Sequence, residues 1–543
     1  MLTVRSPANS KTACGNVAVA ARQPHPSPRS RRAVDLSLPE MSVFMHRFKC
    51  LLLIILAAAL FGALLPPTRA QAALTIGTLE PLVNLDPADA DSFFEWEVLT
   101  HLYTGLTRQV HGTLTYELAL AESHAVSADG LTHTFRIHPE AAFNDGTPIT
   151  AQTFADSINR VLRLNGRATA VITPYVRAAI VDETGALQLT LTKPIPFVWQ
   201  LVALPPFFPV HPQSFPADRL NRQPDADLVH SNGIYRLSAV SFEAYTLSVD
   251  AAWRGTPPHT PIITLRRYPN SAALREALKR GEVQLAWRGL ALADGAALPA
   301  ETFQAQQAPS LQAFYLVVGQ RREPFGDLAA RRVLSLSLNR ERAVRDGLGG
   351  YGIPLETFTP INNAASPRYP TFAAERLRAA LESGGYSRFN QIVSEVQTAR
   401  LLYGDATLTA AARLFAETTN IDALRFAVQE TEPRTFRDQI QRRAFRLLII
   451  GWMPLVPHPH AYFEPLLTGE LAVGAEYDST EAALLLAAAA QSNTYEQVEA
   501  LALRELVVIP LWQGVQTLYA AEGVSGILIE PNFLLRYDHL ALG

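Results

Sequence analysis

Two histidines stand two positions apart in the run Pro457-His458-Pro459-His460. Imidazole nitrogen is a good ligand for nickel and its transition-series neighbours, and in an extended segment residues i and i+2 face the same side. The flanking prolines equally fit a surface turn, and two imidazoles seldom complete a metal site alone. Arg442, Arg443 and Arg446 precede them. A guanidinium can hold a carboxylate through two parallel hydrogen bonds, although most surface arginines are solvated or paired locally. Signatures of catalysis are missing: there is no G-x-S-x-G elbow, H-E-x-x-H, phosphate loop or G-x-G-x-x-G after a strand. The two cysteines, Cys14 and Cys50, precede the first folded segment, which excludes a disulfide scaffold and a zinc-thiolate centre. Binding, not an enzyme's chemistry, is the expected output, and no cofactor is implied.

The elements that must carry these residues alternate between two periods. Leu131, His133, Phe135 and Ile137 alternate with polar residues, as do Leu187, Leu189 and Leu191, which predicts half-buried strands. Residues 245–249, 262–265, 447–450 and 507–511 are further short strands. Phe154, Ile158, Val161 and Leu162 have helical spacing behind the N-cap Thr150, and Leu274, Ala277 and Leu278 lie between the cap Asn270-Ser271 and the terminator Gly281. Asp327 caps a helix carrying Val333, Leu334 and Leu338. Later helices are expected over 371–383, 407–418, 433–444 and 481–504. Strands and helices interleave over 543 residues that are 48% hydrophobic, so the class is α/β or α+β with two or three units. Proline-rich joints fall at 194–212, near 299–309, and at 451–465.

The amino-terminal stretch reads separately. His46, Arg47 and Lys49 precede an apolar run from Leu51 to Leu65, and Ala70-Gln71-Ala72 supplies a small-x-small cleavage pattern. This predicts a secretory signal cleaved near Ala72, with an uncleaved anchor as the alternative. Cys50 opens the apolar run rather than closing it, so lipid attachment there is not expected. Met41 or Met45 is an alternative start. Residues 1–72 hold nine of the 47 Lys and Arg and two of the 50 Asp and Glu, so the remaining chain sets 38 bases against 48 acids, a formal charge of −10. A nucleic-acid partner is thereby disfavoured.

Phe143-Asn144-Asp145-Gly146-Thr147-Pro148-Ile149-Thr150-Ala151 is locally a turn with a helix cap, yet as a string it resembles the signature of the family 5 extracellular solute-binding proteins, the receptors of peptide and nickel ABC importers. Further blocks follow in the family's order: Leu85-Asp86-Pro87, Leu102 to Leu106, Asp129 to Phe135, Asn232-Gly233-Ile234-Tyr235, Ala252-Trp253-Arg254-Gly255, Pro324-Phe325-Gly326-Asp327, and Gly451-Trp452 with Pro457 to Phe463. The resemblance implies a periplasmic binding protein-like fold (type II, cluster C): a three-domain clamshell with an interrupted first domain and an extra inserted one. The implied limits are 73–92, 207–308 and 506–543 for domain I, 93–206 for domain II and 309–505 for domain III. It also implies hinge closure on an oligopeptide-like solute, delivery to an ABC permease and ATPase complex, a periplasmic location and a monomer. The alternatives are a nickel-chelate or other small non-peptide receptor, or a noncatalytic periplasmic sensor or scaffold.

The same resemblance assigns ligand contacts. Gly451, Trp452 and Met453 correspond to the family's contact segment, with main-chain partners for an extended peptide, and Asp91, Ser92 and Phe93 fall on the opposite wall. Helix capping is the local alternative for Asp91 and Ser92. Where peptide receptors of this kind carry an aspartate for the ligand's α-ammonium, this chain has Leu455. A buried ammonium without a counter-charge costs several kcal/mol, so recognition of a free peptide amine is not expected; Glu464 is a candidate substitute. Trp253, Trp287 and Trp512 are expected in the core, and His458 and His460 are the metal candidates.

Overall fold

The structure, a computed structural model, describes residues 73–81, 84–361, 365–383, 393–399, 412–413 and 425–543. The export segment, both cysteines and most of the 407–418 helix expectation lie outside the described residues.

The alternation around Phe135 produces the strand Thr132–Ile137, with His133 and Phe135 turned inward. It pairs with Leu187–Leu191, and both belong to a four-stranded antiparallel sheet completed by Ala121–Val126 and Val176–Val181. The helix Ala151–Leu164 covers this sheet. Thr150 accepts from the backbone N–H of Thr153, the Thr153 hydroxyl accepts from that of Thr150, and Phe154, Ile158 and Val161 are buried. Asn165 ends the helix in the left-handed region at φ 50°. Gly146 sits at φ +87° in the turn before the helix, as the Asn-Asp-Gly sequence requires.

Among the described residues the larger sheet has eleven strands. Ala73–Thr78 lies parallel to Ile262–Arg267 and to Leu285–Ala286, with Tyr235–Val240 and Ala244–Val249 continuing one edge. Two strands dominate its middle: Phe303–Val318 and Val508–Ala521 run antiparallel side by side. One apolar core holds residues from Leu74 to Trp287 together with Leu518 to Leu540, and a second holds residues from Ala313 to Trp512. The chain therefore crosses from the first core to the second along 303–318 and returns along 508–521.

Those two strands correct the sequence reading. The joint expected near 299–309 is strand, and Pro309 sits where the pairing register breaks between Pro309 and Ala313. An irregular position is where a strand tolerates a residue without an N–H. The short strand expected at 507–511 extends to Ala521 because Gln513 to Gln516 pair across the same irregularity. The helix expected over 481–504 is two helices, Thr480–Ser492 and Glu496–Glu505, because Asn493 adopts φ 55° and caps the first. The joint at 194–212 contains short helical turns, with Phe197, Leu201 and Phe207 buried in the first core.

Candidate ligand cavity

The helix Phe93–Leu102 begins the site. Ser92 caps it, accepting from the N–H of Glu95, while the Glu95 carboxylate accepts from the N–H groups of Asp91 and Ser92 at 3.0 and 3.2 Å. Asp91 pairs with Arg167 at 2.7 Å. The Ser92 and Asp91 side chains are thus committed to the cap and its brace, and Phe93 is the one of the three that lines a cavity. Its ring packs against Trp96 and Phe533, with centroids 5.8 and 6.0 Å away.

Farther along this helix the fully buried Glu97 accepts from Trp287 Nε1, Arg288 Nη2, the N–H of Leu535 and the Tyr537 hydroxyl, the last at 2.6 Å. Burial raises its pKa, with Arg288 and these donors acting in opposition. One turn on, His101 Nε2 accepts from the N–H of Tyr537 at 3.0 Å, so Nδ1 carries the proton and donates to Glu97 O at 2.7 Å. Burial holds this imidazole neutral, lowering its pKa to about 3. The carboxyl-terminal segment 533–538 is thereby fixed to the helix.

Between these elements lies a cavity of about 550 Å³, inside the range of small-molecule sites. Phe93, Trp96, Tyr103, Phe208, Trp253 and Leu534 give it an apolar wall, and Leu455 reaches it from the segment after the strand Leu447–Trp452. Trp253, expected in the core, is a wall residue instead; its Nε1 donates to Thr256 O at 3.1 Å. Trp287 and Trp512 are buried as expected. The buried Tyr103 hydroxyl and Asn532 Oδ1, both on this wall, have no hydrogen-bond partner among the described residues.

The cavity carries three carboxylates, each already engaged. Glu117 pairs with Arg108 at 2.7 Å. Glu530 accepts from the N–H of Gly112 through both oxygens, at 3.2 and 3.1 Å. Asp538 stands in an ion pair with Arg536 at 3.1 Å, although its Oδ1 has no hydrogen-bond partner among the described residues. None of Arg442, Arg443 and Arg446 lines the cavity; Arg442 pairs with Asp438 at 2.9 Å.

Gly451 and Trp452 end a strand paired on one side with Phe314 and Ala313. A Cβ on Gly451 would stand 2.9 Å from Phe314 Cε1, a ring stacked on Trp512, which accounts for glycine there. Trp452 is half-buried against the second core, its Nε1 donating to Ala461 O at 3.0 Å. Met453 follows, half-buried, and none of these three lines the cavity.

His458 and His460 do not lie in an extended strand. Pro459 opens the helix His460–Leu467, and His458 lies in the turn before it. His458 Nδ1 accepts from the N–H of His460 at 3.2 Å, so its Nε2 donates to Asn493 Oδ1 at 3.0 Å. His460 Nδ1 lies 3.1 Å from the Tyr495 hydroxyl. Both rings are buried against Phe197, and Glu464 reaches Lys193. The two histidines thus join the second core to the first; neither lines the cavity.

Chain distance hid the rest of the site. His111 meets Glu530, Asn532, Arg536 and His539 of the carboxyl-terminal segment from far along the chain, and no local spacing announces that meeting.

Among known proteins, the model of the bacterial extracellular solute-binding proteins, family 5 (middle), matches residues 115–472. The chain belongs to this family. It is 24% identical over 336 residues to the glutathione-binding protein GsiB of Pectobacterium atrosepticum, covering 58% of this chain and 61% of that protein. It is 22% identical over 487 residues to the probable D,D-dipeptide-binding periplasmic protein DdpA of Escherichia coli K12, covering 84% and 92%. The structure of HbpA2 from Haemophilus parasuis superposes with a TM-score of 0.74 at 16% identity, covering 87% of this chain and all of that one. The fold is accordingly the type II periplasmic binding fold expected from the sequence.

Proposed function

We propose that the protein is the periplasmic solute receptor of an ABC importer, and that it captures a short peptide or peptide-like solute in the 550 Å³ cavity and presents it to the permease and ATPase complex. The observation that carries this reading is that Leu455 lines one cavity with the wall residues Phe93 and Trp96, while two paired strands run between the cores. That arrangement suits hinge closure, in which ligand favours the shut state by binding it better. Relatives named for glutathione and for a D,D-dipeptide support a short peptide. So does the far edge of Gly451 and Trp452, which has no strand partner among the described residues and could add an extended backbone. Phe93 and Leu455, which line the cavity, are the proposed contacts within it, and Gly451, Trp452 and Met453, which do not, are the proposed contacts for ligand backbone that extends beyond it; Asp91 and Ser92 shape the wall through the helix start.

The proposed domain limits follow the two crossings, with domain III over 309–505. The receptor acts as a monomer, exported by a signal cleaved near Ala72, without catalysis. Native mass spectrometry of the protein purified from its own periplasm tests the reading. A bound solute of peptide mass is expected; a protein that carries none, and that no peptide mixture stabilises against heat, contradicts it.

A further inference from the structure

We infer that His111, Asp538 and His539 form a binding site for one divalent transition-metal ion of the zinc and nickel class on the wall of the cavity. Each offers a ligand atom, these atoms lie within 4.8 Å of one another, and all three residues line the cavity. Two imidazoles and one carboxylate suit borderline cations. Zinc–ligand distances of about 2.0–2.2 Å ask the three to draw together slightly. The His111 and His539 side chains are 36% and 43% exposed, so they can rotate to do so.

The surroundings already orient the donors. His111 Nδ1 is 3.4 Å from Glu530 Oε1, which leaves Nε2 as the metal-binding nitrogen. A carboxylate behind a ligating imidazole fixes its tautomer and raises its basicity. Glu530 is itself held by the N–H of Gly112, which anchors the turn carrying His111. Asp538 is held from the other side: Arg536 Nη2 lies 3.1 Å from Oδ1, while Oδ2 faces His539 Nε2 at 3.8 Å. Tyr537 beside it is fixed through Glu97 and His101. A metal there would staple the 107–118 hairpin to the carboxyl-terminal segment and keep positions open toward the cavity.

This inference holds whatever solute the cavity takes. It is tested by stripping the exported chain with EDTA and titrating it with zinc chloride in a calorimeter, then with cobalt chloride while recording visible absorption. One equivalent of zinc and cobalt bands of low coordination number are expected. His111→Ala and His539→Ala should each weaken binding at least tenfold, the double variant should abolish it, and Glu530→Gln should cost about tenfold. The exposed His138→Ala should leave it unchanged. Circular dichroism checks that the variants fold. Absence of saturable zinc binding, or binding undiminished in a folded double variant, overturns the inference, and neither result bears on peptide capture.

Discussion

Phe197 and His458 face one another across the boundary between the two cores, ring centroids 5.6 Å apart and planes inclined by 47°. Burial lowers the His458 pKa to about 4, with His460 acting in the same direction and Asn493 against it. The unfolded chain takes up this proton near pH 6.5. The contribution of the neutral ring is therefore fully present above that value and is lost as pH falls toward 4. Between pH 6.5 and 5 the loss amounts to about 1.5 kcal/mol. Urea denaturation of the wild type and His458→Asn over this range should show the wild type losing that much more than the variant; parallel pH profiles would contradict it.

Lys193 and Glu464 close the same boundary at its partly exposed rim. A pair of this exposure contributes about 0.5–1 kcal/mol and is screened by salt. Lys193→Ala should speed release of bound solute by a few-fold in stopped-flow measurements at low salt, with the difference from wild type shrinking at high salt. Equal rates at both ionic strengths would show that the pair does not hold the cleft shut.

Arg160 and Asp86 make the opposite kind of pair, buried and bidentate at 2.7 and 2.8 Å. Arg160 also donates to Pro216 O and Arg219 O, so one guanidinium ties the 151–164 helix to the Leu85-Asp86-Pro87 loop and to 216–219. Removing one partner leaves a buried charge uncompensated, at about 3–5 kcal/mol. Arg160→Ala should lower unfolding free energy by that amount. Arg160→Lys should recover only part of it, because an ammonium cannot reproduce the planar fork. A full rescue by lysine would mean that charge alone matters here.

What the sequence made legible was what short range determines. Thr150, Asn270 and Asp327 start helices because each side chain accepts from a backbone N–H two or three residues on, an interaction encoded within one turn. The strand Thr132–Ile137 was visible in its period-two pattern. Length was not visible in 303–318 or 508–521, since those strands persist through each other's pairing rather than through their own alternation. The site divides along the same line. Phe93 and Leu455, named through the family's motifs, line the cavity, whereas Glu530, Asn532, Arg536 and Asp538 reach it because Glu97 and His101 pin the last segment to the helix Phe93–Leu102.

Leu455→Asp restores an anion at the one cavity position offered by the segment after Trp452. It should increase affinity for peptides with a free α-amine and leave N-acetylated peptides weakened or unchanged. A variant that binds both kinds as the wild type does would separate Leu455 from the ligand's terminus.

Solute selection without an uncommitted carboxylate on the cavity wall is the central claim, because Glu117, Glu530 and Asp538 are each engaged within the protein. Calorimetric titration of the wild type with one peptide in free and N-acetylated forms tests it most directly. The account predicts affinities within a few-fold of one another; tight binding of the free amine, with the acetylated form failing to bind, would contradict it.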